Sequence, residues 1–229
     1  MPTTTPRSGG PRASRFKTAS PPLTRAEIVE VALRQAEAGD LDQLTLRKLA
    51  DELDVTPMAL YRHVRDKDDI IECVADALLA KQGQPPDGLH WDAYLIELAR
   101  TLRSVLRDHP VIVTVFTRRP QVGPAARARL AGARQVLVRA GLSEQDALSV
   151  YAAVHTYTLG FCALEAGRAA STGTTLGEGE DDDGDDDLPG VIAGFVSEHQ
   201  FEFGLRSLVR GLPAPRRGRG PKAPGAEGG

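Results

Sequence analysis

Between Thr45 and Lys67 the chain gathers side chains suited to gripping a polyanion: Thr45, Arg47, Lys48, Thr56, Tyr61, Arg62, His63 and Lys67. Arginine and lysine supply charge to phosphates, and hydroxyl groups supply neutral donors. Met58 and Ala59, in the same stretch, are of a kind that lies against thymine methyl groups. Such residues read DNA when a short helix carries them into the ~12 Å major groove. Rival chemistries lack comparable spacing. The histidines His63, His90, His109, His155 and His199 form no H-E-x-x-H pattern, so no metal is expected. No nucleophile elbow, phosphate loop or paired-carboxylate constellation is present either, and no cofactor is expected. An enzyme built from distant residues around a helical pocket remains the weaker alternative.

These residues sit in a chain of 229, of which 41% are hydrophobic and 26% charged, enough apolar material for a sizeable core. No run approaches the ~20 apolar residues of a membrane span, so no membrane partner is expected. Cys73 and Cys162 are the only cysteines, too few for a disulfide framework. The N-terminal stretch lacks the apolar core of a secretory signal, and a cytoplasmic protein is expected. The net charge of -3 conceals an asymmetry: eight acids fall between Glu178 and Asp187, and the remainder of the chain carries a net +5. Residues 1–22 and 213–229 are Pro/Gly-rich and basic, and read as flexible tails; 170–188 reads as a disordered acidic loop.

The intervening sequence repeats apolar residues at three- and four-residue steps, with no convincing period-2 run, so the fold class is all-α. Thr24 and Glu27 form a capping box opening a first helix that stops at Gly39. Thr45 caps a short second helix with Leu46, Leu49, Ala50 and Leu53 on one face. Thr56-Pro57 starts a third helix, expected to continue to about Arg65, and Asp66 caps a fourth. Pro85, Pro86 and Gly88 mark a boundary between a domain at 23–83 and a larger one at 89–212. The second domain begins with a helix carrying Trp91, Leu95, Leu98 and Leu102; further helices open at Pro110, Pro124 and Ser143, the last ending near Gly167. A final helix is expected from about Pro189 to Leu212.

The pair of short helices over 45–64 reads as a helix-turn-helix. The segment 24–83 has thirteen acids against eight bases, so its basic residues are concentrated on one surface rather than spread over it. From Leu23 to Lys81 the sequence resembles the DNA-binding domain of the TetR family of transcriptional regulators. The likeness rests on Leu44-Thr-Leu-Arg-Lys-Leu-Ala50, on Leu60-Tyr-Arg-His-Val64, and on Lys67 opening the next helix. Further along, Thr158-Leu-Gly-Phe-Cys-Ala-Leu-Glu165, the acidic gap and a terminal helix resemble the ligand-binding and dimerisation domain of the tetracycline-repressor subgroup.

The resemblance implies that Arg47 meets a base edge or phosphate, that Pro57, Met58 and Ala59 lie against bases, and that Tyr61, His63 and Lys67 contact phosphates. Thr45, Leu46, Lys48, Thr56 and Arg62 complete the expected DNA-binding set. Two departures follow the quoted motifs. Asp54 occupies a turn position commonly filled by glycine, and Pro57 replaces a long polar side chain, so the operator need not be of the tetracycline type. The resemblance also implies a homodimer, on a palindromic double-stranded operator whose half-sites match its symmetry, with a four-helix interface from helices 143–167 and 189–212. An unidentified small molecule would release such a repressor; an activator or dual regulator of the same fold is the alternative. Leu102, Phe116, Arg118, His155, Thr158 and Phe161 are the candidate pocket residues. The family's tetracycline binders use a histidine-based magnesium site, and the corresponding stretch Val113–Pro120 has no histidine, which argues against tetracycline.

Overall fold

The computed structural model describes residues 22–118, 123–172 and 195–212. The basic arm up to residue 21, the acidic stretch from residue 173 and the tail from residue 213 lie outside them. Among the described residues every regular element is helical, in the order α1 (Arg25–Glu37), a short 3-10 turn (Leu41–Gln43), α2 (Leu46–Glu52), α3 (Pro57–Leu60), α4 (Lys67–Gln82), α5 (Trp91–Asp108), α6 (Pro110–Arg118), α7 (Pro124–Arg139), α8 (Glu144–Thr172) and α9 (Glu198–Gly211).

Local chemistry accounts for most of the boundaries. Thr24 and Glu27 form the reciprocal capping box, with Thr24 N donating to Glu27 Oε2 at 2.8 Å and Glu27 N to Thr24 Oγ1 at 3.2 Å. Thr45 Oγ1 accepts from Lys48 N, Thr56 Oγ1 from Ala59 N, and Asp66 Oδ1 from Asp69 N at 2.8 Å. Asp54 takes φ 53, a left-handed conformation that aspartate tolerates better than most residues, and Val55 N then reaches back to Ala50 O at 3.0 Å. That turn fixes α2 against α3.

Three expected boundaries shift. α3 stops at Leu60 instead of running to about Arg65. Its continuation is a turn in which His63 N donates to Leu60 O at 2.8 Å, and this turn brings Val64 into the core and Asp66 to the start of α4. α8 passes through Gly167 to Thr172, because a glycine within a helix costs only about 1 kcal/mol and this one takes no left-handed turn. α9 begins at Glu198, where Ser197 Oγ accepts from Gln200 N; residues 189–194 lie outside the described ones, and Phe195 and Val196 form a turn.

Two apolar clusters fill the molecule. The first contains Ile28, Leu49, Leu60, Ile70 and Val74 from α1–α4, and continues into Leu102 and Leu106 of α5, Ile112 and Phe116 of α6, and Cys162 of α8. The stretch 83–90 therefore interrupts the sequence but not the core. The second cluster joins Tyr94 and Leu95 of α5, Ala133 and Leu137 of α7, Val150 and Val154 of α8, and Phe201 and Leu205 of α9.

Buried charges lock the packing. Asp69, 3% exposed, accepts from Arg25 at 2.7 and 3.1 Å, from Arg65 N at 2.9 Å and from the Arg65 guanidinium at 3.1 Å, tying α1 to α4. Burial pushes its carboxyl pKa up, but these hydrogen bonds outweigh it and hold the group well below the usual carboxylate range. Arg103 of α5 meets Glu165 of α8 and Glu198 of α9, each at 2.6 Å, and its guanidinium lies 4.4 Å from the Phe201 ring centre.

Candidate nucleic-acid interface and ligand cavity

The helix-turn-helix divides its residues cleanly. Leu49, Ala50 and Leu60 are fully buried, while Thr45, Arg47, Lys48, Thr56, Pro57, Met58, Tyr61 and Arg62 are exposed. Met58 at 71% and Tyr61 at 54% are among the most exposed large apolar or aromatic side chains described, as expected of groups that complete their packing on another molecule. The hydroxyls of Thr45 and Thr56 accept hydrogen bonds as helix caps, which leaves each hydroxyl proton able to donate to a phosphate.

Four of the expected contact residues are less open. Leu46 packs against the first core cluster, and Ala59, His63 and Lys67 are half-buried. Lys67 Nζ donates to Asp42 O at 3.3 Å, and His63 O accepts from Arg25 at 2.7 Å. Arg25, which the sequence motifs do not single out, therefore braces both the turn after α3 and the start of α4. Its proton is held more tightly than in free arginine by its hydrogen bond to Asp69.

Below this surface a cavity of about 410 Å³ opens among α4, α5, α6, α7 and α8. Leu79, Leu102, Phe116, Leu130 and Leu159 make it apolar; Tyr151, His155, Arg127 and Arg129 are its polar groups. The Tyr151 and His155 rings are stacked 5.7 Å apart. Burial pushes the His155 pKa down, with the Arg129 charge adding to the effect, and pushes the Tyr151 pKa up. Both side chains are thereby held neutral near pH 7.

Of the six candidate pocket residues, Leu102, Phe116 and His155 line this cavity. Thr158 is fully buried one layer behind, its hydroxyl donating to Val154 O at 2.9 Å, beside a narrow extension shared with Leu102, Arg129 and His155. Arg118 and Phe161 lie elsewhere. Arg118 is exposed and faces Asp68 of α4 at 3.8 Å, and Phe161 packs with Tyr157 and Phe201 on the side of α8 that meets α9. The sequence reading missed Arg129 and Tyr151. Arg129 had a visible signal, for it is the charged member of the buried stripe Arg129, Ala133, Leu137 on α7. A second, open cleft of about 570 Å³ lies between the 86–91 linker and the C-terminal end of α7, and α6 and α8 contribute nothing to its lining.

Residues 28–74 match the sequence model of bacterial regulatory proteins of the tetR family, and residues 82–183 match that of the tetracyclin repressor-like C-terminal domain. An HTH-type transcriptional regulator of Saccharopolyspora erythraea is 31% identical over 217 residues, spanning 89% of this chain and 90% of the relative. The chain belongs to the TetR family. The crystal structure of a possible TetR family transcriptional regulator from Streptomyces coelicolor A3(2) superposes with a TM-score of 0.63 at 31% identity, covering 82% of this chain and 98% of that one. The tetracycline repressor protein class E of Escherichia coli is 28% identical, over 84% of this chain and 92% of its own. The chain thus has the TetR-family architecture of an N-terminal helix-turn-helix domain and a helical C-terminal domain, and the protein is a DNA-binding transcriptional regulator.

Proposed function

We propose that this regulator is a homodimeric repressor that leaves a palindromic operator when an organic molecule fills the 410 Å³ cavity. The observation that carries the reading is the shared helix α4. Its N-terminal end is clamped by Asp69 to Arg25 and Arg65 beside the helix-turn-helix, and its C-terminal half contributes Leu79 to the cavity wall. A ligand that prefers one position of α4 shifts the population of recognition-helix spacings, and acts only through that differential affinity. The class E repressor name of a relative supports the sign of regulation.

The dimer reading rests on α8 and α9. α8 has the length and mean hydropathy of a membrane-crossing helix, 1.3 over its best span, and only 33% of that span is buried in the single chain. One face packs on α5, α6 and α7; the other exposes Leu148, Ala152, Thr156, Gly160 and Leu164. Phe203 of α9 is 60% exposed. Small residues at 152, 156 and 160 allow close helix approach, and the acids Glu144, Asp146 and Glu165 suit a soluble interface better than a bilayer. Such a DNA-binding dimer works in the cytoplasm.

Salt-dependent binding to DNA upstream of its own gene tests the reading, with wild type beside Tyr61→Ala and Arg47→Ala. Both variants are expected to lose specific binding, and each lost phosphate contact lowers the slope of log K against log salt by about 0.9. Absence of any specific site in a genome-wide fragment pool refutes the regulator reading and revives the helical-pocket enzyme.

A further inference from the structure

Three deeply buried charged side chains occur among the described residues, and they are not treated alike: Asp69, Arg103 and Arg129 are 3, 5 and 4% exposed. Asp69 is held by two arginines, and Arg103 by two glutamates. Arg129 has no acidic partner. Its guanidinium donates to two backbone carbonyls, Leu98 O at 2.7 Å and Gly83 O at 3.5 Å, and the titratable groups that influence it are the phenols of Tyr151 and Tyr94. Burial accordingly weakens its hold on its proton. A guanidinium carries five N–H donors in a planar fork, and two hydrogen bonds to carbonyls leave part of that fork unused.

Arg129 also belongs to the cavity wall. It lines both the 410 Å³ space and its narrow extension, and among the described residues no aspartate or glutamate is on either wall. The neighbouring polar groups, Tyr151 and His155, form a flat stacked pair held neutral, and the remaining wall is leucine, alanine and phenylalanine apart from Arg127. An apolar chamber with one deeply buried, unneutralised cation is matched by a molecule with an apolar or aromatic body and a single acidic group.

Resting on the reading of this cavity as the effector site, we propose that the effector is an organic anion whose carboxylate, sulfonate or acidic phenol pairs with Arg129 while its body lies along Tyr151, His155 and Phe116. One further contact gives the pairing a consequence. Gly83, whose carbonyl Arg129 meets, is the C-cap of α4, so an anion drawing the guanidinium toward the cavity competes with a contact to the helix that bears the DNA-binding domain.

Two fluorescent probes that share one aromatic skeleton test this on the full chain: anionic 8-anilinonaphthalene-1-sulfonate and neutral N-phenyl-1-naphthylamine. Wild type is expected to bind the sulfonate at least ~10-fold more tightly than the amine, and to keep that preference in 0.5 M salt because the pair is buried. Arg129→Met is expected to erase the preference while retaining the neutral probe; the melting temperature reports separately on the lost hydrogen bonds to Leu98 O and Gly83 O. Should Arg129→Met fail to fold, Arg129→Gln carries the same comparison. Ala126→Phe, which fills the cavity, is expected to block both probes. Equal affinity for the two probes, both blocked by Ala126→Phe, overturns the anion and leaves the effector cavity standing. Binding unaffected by Ala126→Phe, or no binding of either probe, overturns the cavity reading and the anion with it.

Discussion

Asp76 offers the sharpest test of how the two halves of the molecule are joined. α7 begins at Gly123-Pro124, where glycine has no side chain to cap a helix and proline has no N–H. The next two amides are satisfied from another helix: Ala126 N donates to Asp76 Oδ1 at 3.0 Å and Ala125 N to Asp76 Oδ2 at 3.1 Å. Asp76 lies on α4, and α7 is the helix that brings Arg129 and Leu130 to the cavity. Loss of a side-chain cap costs about 0.5–2 kcal/mol, and a carboxylate at a helix N-terminus adds roughly 0.3–1 kcal/mol. Asp76→Ala is therefore expected to lower stability by about 1–2 kcal/mol in urea denaturation, and to reduce hydrogen-exchange protection of the Ala125 and Ala126 amides by roughly 5–30-fold. Gly123→Ala gives an independent approach, because its Cβ would overlap the Asp76 carboxylate and displace it from the amides. The double variant should cost little more than either single one, as two lesions in one interaction do. Additive losses, or unchanged protection at residues 125 and 126 in Asp76→Ala, refute the cap.

Other outcomes follow from the buried charges and exposed faces. Asp69→Asn is expected to cost about 2–3 kcal/mol at pH 7, since it weakens several hydrogen bonds to a charged group. The folded carboxyl is more acidic than the unfolded one near 3.9, so on acidification the unfolded chain takes up the proton first; the stabilisation is intact above about pH 5 and drains away below pH 4, where urea midpoints of wild type and variant should converge. Gly160 faces open space on α8, so Gly160→Arg should fold normally yet run as a monomer in light scattering; a persisting dimer removes this face from the interface. Burial pushes the Cys162 thiol up to about 12, so at pH 8 iodoacetamide should label the native protein at Cys162 far more slowly than the urea-unfolded chain, as peptide mass spectrometry would report.

The starts of α1 to α4 were legible in the sequence because their causes are local, whereas that of α9, expected near Pro189, was not. Thr24 with Glu27, Thr45, Thr56 before Pro57, and Asp66 each bond within three residues, and the left-handed Asp54 stands where the family resemblance implied a turn position commonly filled by glycine. Helix ends were less legible. Nothing within Tyr61-Arg62-His63 stops α3; Val64 turning into the core does, and that is a tertiary event. The exposure of most of the expected DNA-contact residues was readable for the same local reason, whereas Leu46, Ala59, His63 and Lys67 are partly covered by tertiary packing. The cavity was only half readable. Periodicity says which face of α5 is apolar, and so found Leu102, and the family resemblance pointed to His155 on α8, but neither says where five helices leave space among them. Hence Arg118, at a helix end, was favoured over Arg129, whose place on the Ala133–Leu137 stripe marked it as buried.

The apolar cluster that crosses residues 83–90 bears on how such regulators can be recombined. A chimera cut at Pro85 to graft this helix-turn-helix onto another effector domain would carry α4 away from Leu102, Leu106, Ile112 and Phe116, the surfaces on which it is packed, and would remove the carboxylate that finishes α7. The sequence boundary is thus a poor seam for exchange. A workable graft would replace only the recognition surface from Thr45 to Tyr61, or would move α4 together with the faces of α5, α6 and α7 that it touches. New operator preferences should consequently be easier to install in this scaffold than new pairings of sensor and reader.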